Sequence, residues 1–131
     1  MKKIFLLSFI LAFTLSLAAQ SLPLALSTST IQWDYTTAQI NAANVTKFQI
    51  AVVNQGNSIS DIDYKDASPV ITPMSDGTGN SYAVPLTNVS VGNHTFAVRA
   101  CNQDLCSDAT TLDFRLTAKP GAVGNLRIGG K

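Results

Sequence analysis

Side chains able to do chemistry are few in this chain of 131 residues. His94 is the single histidine, and it follows the turn-forming pair Gly92-Asn93, so we expect an imidazole exposed on a loop rather than a catalytic base. Asp61, Asp63 and Asp66 are the densest carboxylates. They offer the oxygen ligands that Ca²⁺ prefers, but the glycine and glutamate of an EF-hand loop are missing, which favours a solvated loop.

A glycine-rich segment, Asp76-Gly77-Thr78-Gly79-Asn80, invites comparison with a phosphate-binding loop. It lacks the Lys-Ser/Thr pair of a nucleotide site and a following helix, so it predicts a turn. With no nucleophile beside a base, no paired carboxylates and no metal cluster in the sequence, we expect no cofactor and no enzymatic activity.

The two cysteines, Cys101 and Cys106, are separated by four residues. That spacing suits opposite sides of a short hairpin, whose facing Cα atoms are close enough for a disulfide bond. A redox motif would have two intervening residues, and zinc would need more ligands than two cysteines and one histidine supply. We expect a structural disulfide that clamps the hairpin.

The N-terminus resembles an export signal, with Lys2-Lys3 before an apolar stretch and small residues at Ser16 and Ala18. We expect residues 1–18 to be removed, by cleavage after Ala18 or Ala19. The apolar stretch is shorter than the roughly 20 residues that span a bilayer, which disfavours an uncleaved anchor. The remaining chain is expected to be secreted or extracytoplasmic, where disulfides persist and no membrane contact remains.

Without residues 1–18, the chain keeps seven basic and eight acidic groups, and all eight acids are aspartate. Such a balance excludes a basic nucleic-acid-binding protein. Abundant serine, threonine and asparagine suit strands and turns better than helices. The length suits one domain, expected over residues 19–118.

Apolar and polar residues alternate in five segments, as in half-buried strands. The inward-facing sets are Ile31, Trp33 and Tyr35; Phe48, Ile50 and Val52; Tyr82, Val84 and Leu86; Phe96, Val98 and Ala100; and Leu112, Phe114 and Leu116. A short first strand at 22–26 and another near 62–64 bring the number to about seven, as in a two-sheet antiparallel β-sandwich. Pro85 cannot donate a ladder hydrogen bond, so its strand is expected at a sheet edge.

Residues 22–118 resemble a fibronectin type III domain of the kind found in exported microbial and viral proteins. Ile31-Gln32-Trp33 is similar to the second-strand tryptophan run of that family, and Phe48 to Val52 to its third strand. Phe96 to Asn102 looks like the sixth strand, and Cys106-Ser107-Asp108 like the entry to the seventh. The resemblance implies an immunoglobulin-like, all-β sandwich.

Two departures limit what the resemblance implies. Phe96 stands where the family usually has the tyrosine of its corner motif, so the hydroxyl bond to the preceding loop is absent. No Arg-Gly-Asp sequence occurs, so integrin binding has no residue to rest on.

Tyr64 is the best candidate for an exposed aromatic that could stack on a sugar.

The C-terminal residues 119–131 are rich in glycine and predict a frayed tail. The alternative is that this segment, which looks like the opening strand of a further repeat, donates Leu126 and Ile128 to the sheet of another subunit.

The resemblance favours a secreted, non-catalytic binding or adhesion module on a cell envelope or virion surface, with a protein or a glycan as partner. Recognition is expected in residues 36–46 and 102–105, because loops on a rigid sandwich commonly carry it. The alternative function is a structural subunit that polymerises by donating its C-terminal strand.

Overall fold

Two β-sheets form the fold in a computed structural model, which describes residues 21–130. The predicted signal segment, residues 1–18, lies outside the described residues. One sheet has the strand order β1-β8-β7-β3-β4, and the other has the order β2-β6-β5. The strands are β1 (Leu24–Leu26), β2 (Thr30–Thr36), β3 (Lys47–Asn54), β4 (Lys65–Asp66), β5 (Val70–Pro73), β6 (Gly79–Pro85), β7 (Gly92–Cys101) and β8 (Thr110–Thr117).

The core lies between the two sheets, as the alternating pattern predicts. Its largest cluster of buried side chains comprises Ile31, Val84, Leu86, Phe96, Phe114 and Leu116. Trp33 stacks on Tyr82 at a centroid separation of 5.8 Å and meets Phe48 edge-on at 5.6 Å, so aromatic rings fill the other half of the core. The expected all-β sandwich is confirmed, with one short helix added.

All neighbouring strands are antiparallel except the first pair. Strand β1 runs parallel to β8, with Leu24 opposite Arg115 and Leu26 opposite Thr117. The Arg115 N–H donates to the Pro23 carbonyl oxygen at 2.9 Å. The short N-terminal strand therefore extends the larger sheet and leaves the outer edge of β2 without a neighbour among the described strands.

The edge position expected for the Pro85 strand is wrong. Strand β6 is the middle strand of its sheet, between β2 and β5. Pro85 is its last residue and faces Thr30, two positions beyond the last pairing with β5, Val70 with Ala83. Backbone groups alternate in direction along a strand, so the missing N–H would point past the end of β5, where no ladder bond is lost.

The strand expected near 62–64 is also absent. Asp61–Asp63 forms a single 3₁₀ turn, with the Asp63 carboxylate accepting from the Ser60 N–H at 2.8 Å. Strand pairing begins only at Lys65, the first residue of β4, and a further strand, β5, follows at Val70–Pro73. Serine and aspartate side chains that bond nearby backbone groups favour such turns over strands.

Residues 37–43, between β2 and β3, form a helix, α1 (Thr37–Ala43). The Thr36 hydroxyl accepts from the Gln39 N–H, and the Gln39 side chain accepts from the Thr36 N–H, which is a capping box. Asn44 ends the helix in the left-handed conformation, with φ of 51°. The segment 36–46, expected as a loop, is thus mainly helical.

Candidate functional site

Helix α1 and the hairpin between β7 and β8 meet at one end of the sandwich. The Asn102 amide group donates to the Ala43 carbonyl oxygen at 3.1 Å. The Thr46 N–H donates to the Cys101 carbonyl oxygen at 2.9 Å, directly beside this contact. The structure thus brings together the two segments that the sequence singled out for recognition, 36–46 and 102–105; we call this surface the helix–hairpin end.

The hairpin is held in one conformation by two sets of bonds. Cys101 and Cys106 form the expected disulfide, with their Cα atoms 4.0 Å apart. The Asn102 carboxamide oxygen accepts from the N–H groups of Asp104 and Leu105, at 2.9 and 2.8 Å. Leu105 nevertheless stays 75% exposed. An apolar side chain is therefore presented to solvent from a preorganised loop, which lowers the entropy lost on binding.

A shallow depression of about 160 Å³ separates the hairpin from the helix. The residues that line it include Tyr35, Ala43, Val45, Leu105 and Cys106. It is smaller than the roughly 300–1,000 Å³ of typical small-molecule sites. A depression of this size suits one side chain of a partner better than a whole substrate.

The structure contradicts the exposed position expected for His94. Strand β7 begins at Gly92, so His94 lies within the strand and is only 4% exposed. Its Nε2 lies 2.6 Å from the Ser90 carbonyl oxygen, and its ring packs on Phe114. Alternate residues of a strand point to the same side, so His94 shares the inward face of Phe96 and Val98. Extending that alternation two residues toward the N-terminus is the sequence signal that predicts its burial.

The three clustered aspartates have separate partners. The Asp61 carboxylate bonds the Arg99 guanidinium at 2.8 Å, and Asp63 bonds the Ser60 backbone. Asp66 accepts from the Gln49 amide at 3.0 Å and pairs with Lys47 at 3.1 Å. Among the described residues, no three potential ligands converge on a point where a metal ion could sit.

Hydrogen bonds lower the pKa of two aspartates. For Asp66 the main cause is the bond from Gln49, followed by the bond from Lys47. The pKa of Asp76 is lowered chiefly by the Thr78 backbone N–H, which donates at 3.0 Å, and also by the Thr78 hydroxyl. Residues 76–78 form a turn, as the sequence predicts, whereas Gly79 and Asn80 already belong to strand β6. The Asp76 carboxylate is bonded within the turn, by Thr78.

Tyr64 is not free to stack on a sugar from both faces. The Arg99 guanidinium carbon lies 3.8 Å from the centre of its ring. Arg99 is held there by two bonds to the Gln49 carboxamide oxygen, at 3.0 and 2.8 Å, and by Asp61. The network lies on the outer face of the larger sheet, which Arg99 shares with the fully buried Ala97 two residues before it. Its geometry serves packing, because the side chains of Arg99, Gln49 and Asp61 bond one another.

The C-terminal tail has no strand or helix over residues 118–130. Leu126 is 91% exposed and Ile128 is 98% exposed. Neither side chain packs on its own sandwich.

No helix within residues 21–130 is long and apolar enough to cross a membrane. Comparison with protein-family models, curated proteins and solved structures finds no match to this chain.

Proposed function

We propose that this chain is an exported, non-catalytic binding module of the fibronectin type III kind that recognises a protein through its helix–hairpin end. The observation that carries the proposal is the exposed Leu105 side chain on a hairpin held by a disulfide and by Asn102. Rigid presentation of an apolar anchor beside a depression is a common way for one protein to bind another.

The fibronectin type III assignment rests on the sequence resemblance and on the strand order. The segments compared with the third, sixth and seventh strands of that family are β3, β7 and β8, which are neighbours in one sheet. The strand bearing Trp33 lies in the opposite sheet, with its indole in the core. Both features agree with an immunoglobulin-like arrangement.

A protein partner fits this end better than a glycan. Sugar sites usually offer an exposed aromatic face for stacking, and Arg99 occupies one of the two faces of Tyr64. At the helix–hairpin end the most exposed large hydrophobic side chain, Leu105, is aliphatic, and the depression beside it is small. An aliphatic anchor gains free energy by leaving water, which a protein surface permits and a hydrated glycan does not.

The test is photo-crosslinking from the hairpin. A crosslinking amino acid at the exposed Gln103 is added to the chain of residues 19–131, which is then incubated with surface proteins of the producing cell or virion. We expect one dominant crosslinked protein, and at least a tenfold loss of that product with Leu105→Asp, because a buried charge without a partner is costly.

The matched control is Val91→Asp, a similar change at another exposed aliphatic residue. Val91 precedes Gly92 at the opposite end of β7, so it should leave crosslinking unchanged. Equal crosslinking by Leu105→Asp and the unmodified chain would show that this end is not the recognition surface.

A second candidate function is a structural subunit that assembles through its C-terminal tail. The observation that favours it is the exposure of Leu126 and Ile128 in a segment that does not pack on its own domain. Light scattering over a concentration series, beside a chain ending at Ala118, tests it. Oligomers that disappear on truncation support assembly, and monomers in both samples contradict it.

A further inference from the structure

We propose that the outer edge of β2 is the acceptor for the C-terminal segment 121–130 of a second copy of this chain, which pairs with it as an added strand. The inference rests on the second candidate function, tail-mediated assembly, and specifies the surface that receives the tail. Strand addition to an exposed sheet edge is an established mode of protein recognition.

Backbone hydrogen bonds show which groups of β2 face outward. The Leu86 N–H donates to the Ser29 carbonyl oxygen at 3.2 Å, and the Thr37 N–H donates to the Thr78 carbonyl oxygen at 3.0 Å. Odd-numbered residues of β2 therefore bond β6, and even-numbered residues point away from it. The Thr36 N–H, which points outward, is bonded by Gln39. The residues of β2 whose backbone N–H and C=O groups remain for pairing with a new strand are Thr30, Gln32 and Asp34.

The other sheet edges of the described chain are less suited to pairing. On β5 the same alternation turns residues 71 and 73 outward, and residue 73 is a proline that has no N–H to donate. Strand β4 has only two residues, Lys65 and Asp66, both charged. Strand β8 is partly covered by β1. The β2 edge combines length with unprotected backbone groups.

Next to the β2 edge, apolar side chains between the two sheets are accessible to solvent. A depression there is lined by the side of β2 that carries Ile31 and Trp33, and by Phe96, Val98 and Leu112 of the opposite sheet. Leu112 is 42% exposed although its pattern predicts an inward position. A strand added beside β2 would place alternate side chains over this opening and bury it.

The tail has the pattern that such a strand needs. Leu126 and Ile128 are two residues apart, so both would face the apolar opening while Arg127 faced the outer side. Gln32 and Asp34 lie on that outer side. The described tail carries Lys119 and Arg127 and no acid, whereas β2 carries the acidic side chain of Asp34 on its outer side. Opposite charges on facing strands stabilise pairing.

The experiment measures mass by light scattering over a concentration series for residues 19–131. We expect concentration-dependent oligomers from the unmodified chain and monomers from the chain ending at Ala118. Gln32→Pro removes an outward N–H without removing a bond to β6, so it should also give monomers. Ile71→Pro removes an outward N–H of β5 and is the matched control, which should still assemble.

A charge exchange tests the same pairing without a backbone change. Asp34→Lys should reduce association at least fivefold by placing a positive charge near Arg127, and Asp34→Lys mixed with Arg127→Asp should restore part of it. Thermal unfolding of each variant, followed by circular dichroism, separates loss of pairing from loss of the fold.

Four outcomes decide between the explanations. Oligomers that survive truncation would overturn both tail-mediated assembly and this inference. Oligomers that are lost on truncation but unaffected by Gln32→Pro and Asp34→Lys would preserve assembly and overturn the β2 acceptor. Monomers at every concentration would overturn both. A monomer whose melting temperature falls on truncation would show instead that the tail closes the edge of its own subunit.

Discussion

The side chain of Asn102 reaches the carbonyl oxygen of Ala43 at 3.1 Å and joins two segments that are 59 residues apart. Through its other atom, the carboxamide oxygen, it bonds the Asp104 and Leu105 N–H groups of its own hairpin. One side chain therefore holds the hairpin in shape and connects it to helix α1. The geometry of the helix–hairpin end therefore depends on Asn102.

Replacing Asn102 tests that dependence. Asn102→Ala removes all three bonds, so we expect the free energy of unfolding to fall by about 1–2 kcal/mol. We also expect amide hydrogen exchange at Asp104 and Leu105 to become faster. Hydrogen exchange measured by NMR reports both sites. Asn125→Ala, in the exposed tail, is the control and should change neither. Unchanged exchange at Leu105 would mean that the disulfide alone orders the hairpin.

The disulfide should contribute measurably to the free energy of unfolding. Closing a loop of this size reduces the entropy of the unfolded chain and stabilises the fold by about 2 kcal/mol. Denaturant unfolding of the same protein with and without a reductant measures the difference without changing a side chain. The Cys101→Ala/Cys106→Ala variant should not respond to the reductant.

Intact mass after alkylation gives an independent check. The unreduced protein should take up no alkylating agent, because the described chain contains no free cysteine. Labelling of both thiols in the native sample would be incompatible with the bond.

Glycine is required at position 79 because the strands β2 and β6 approach closely there. A Cβ atom would overlap the Tyr35 carbonyl oxygen and lie 2.5 Å from the Thr36 Cα atom. We expect Gly79→Ala to destabilise the fold by about 1–3 kcal/mol, as for other overpacked positions. Gly121→Ala meets no atom within 4 Å and serves as the control in thermal unfolding.

Stability should fall in acid partly because of Asp66. Its folded pKa lies below the ordinary value of 3.8, so the ionised carboxylate favours the folded state above that pH. The contribution is lost as the pH falls through the lowered folded pKa. Asp66→Asn should therefore show a smaller loss of stability between about pH 5 and pH 2 in denaturant titrations.

Salt distinguishes the two causes of that pKa shift. The bond from Gln49 should persist in about 1 M salt, whereas the attraction to Lys47 is screened. An acid dependence that disappears entirely in salt would assign the effect to Lys47 instead. Gln49→Ala should reduce it at any salt concentration.

Local patterns in the sequence predict much of the fold. Alternation places Ile31, Phe96 and Phe114 on inward faces, and all three are buried. Such assignments need only the geometry of a strand, in which neighbouring side chains point to opposite sides. Spacing alone also predicts the Cys101–Cys106 disulfide, because its partners are local.

The sequence carries a local signal for helix α1. Thr36 and Gln39 have the spacing of a capping box, but the helix spans only seven residues and buries none of them. No apolar period of 3.6 can develop over so short a segment. The buried position of His94 was not predicted because Gly92-Asn93 is a residue pair typical of turns. Pairing with β8 instead extends strand β7 as far as Gly92.

Residue patterns along the chain are sufficient to predict a fold made of β-strands, the inward faces of those strands and the hairpin disulfide, since each depends on residues that are close in the sequence. Which strands are neighbours follows only from tertiary packing. Tertiary packing places the Pro85 strand in the middle of a sheet and leaves the edge of β2 without a neighbouring strand within residues 21–130. It also joins Asn102 to Ala43. These relationships depend on how distant segments pack, and no local pattern of residue types specifies that.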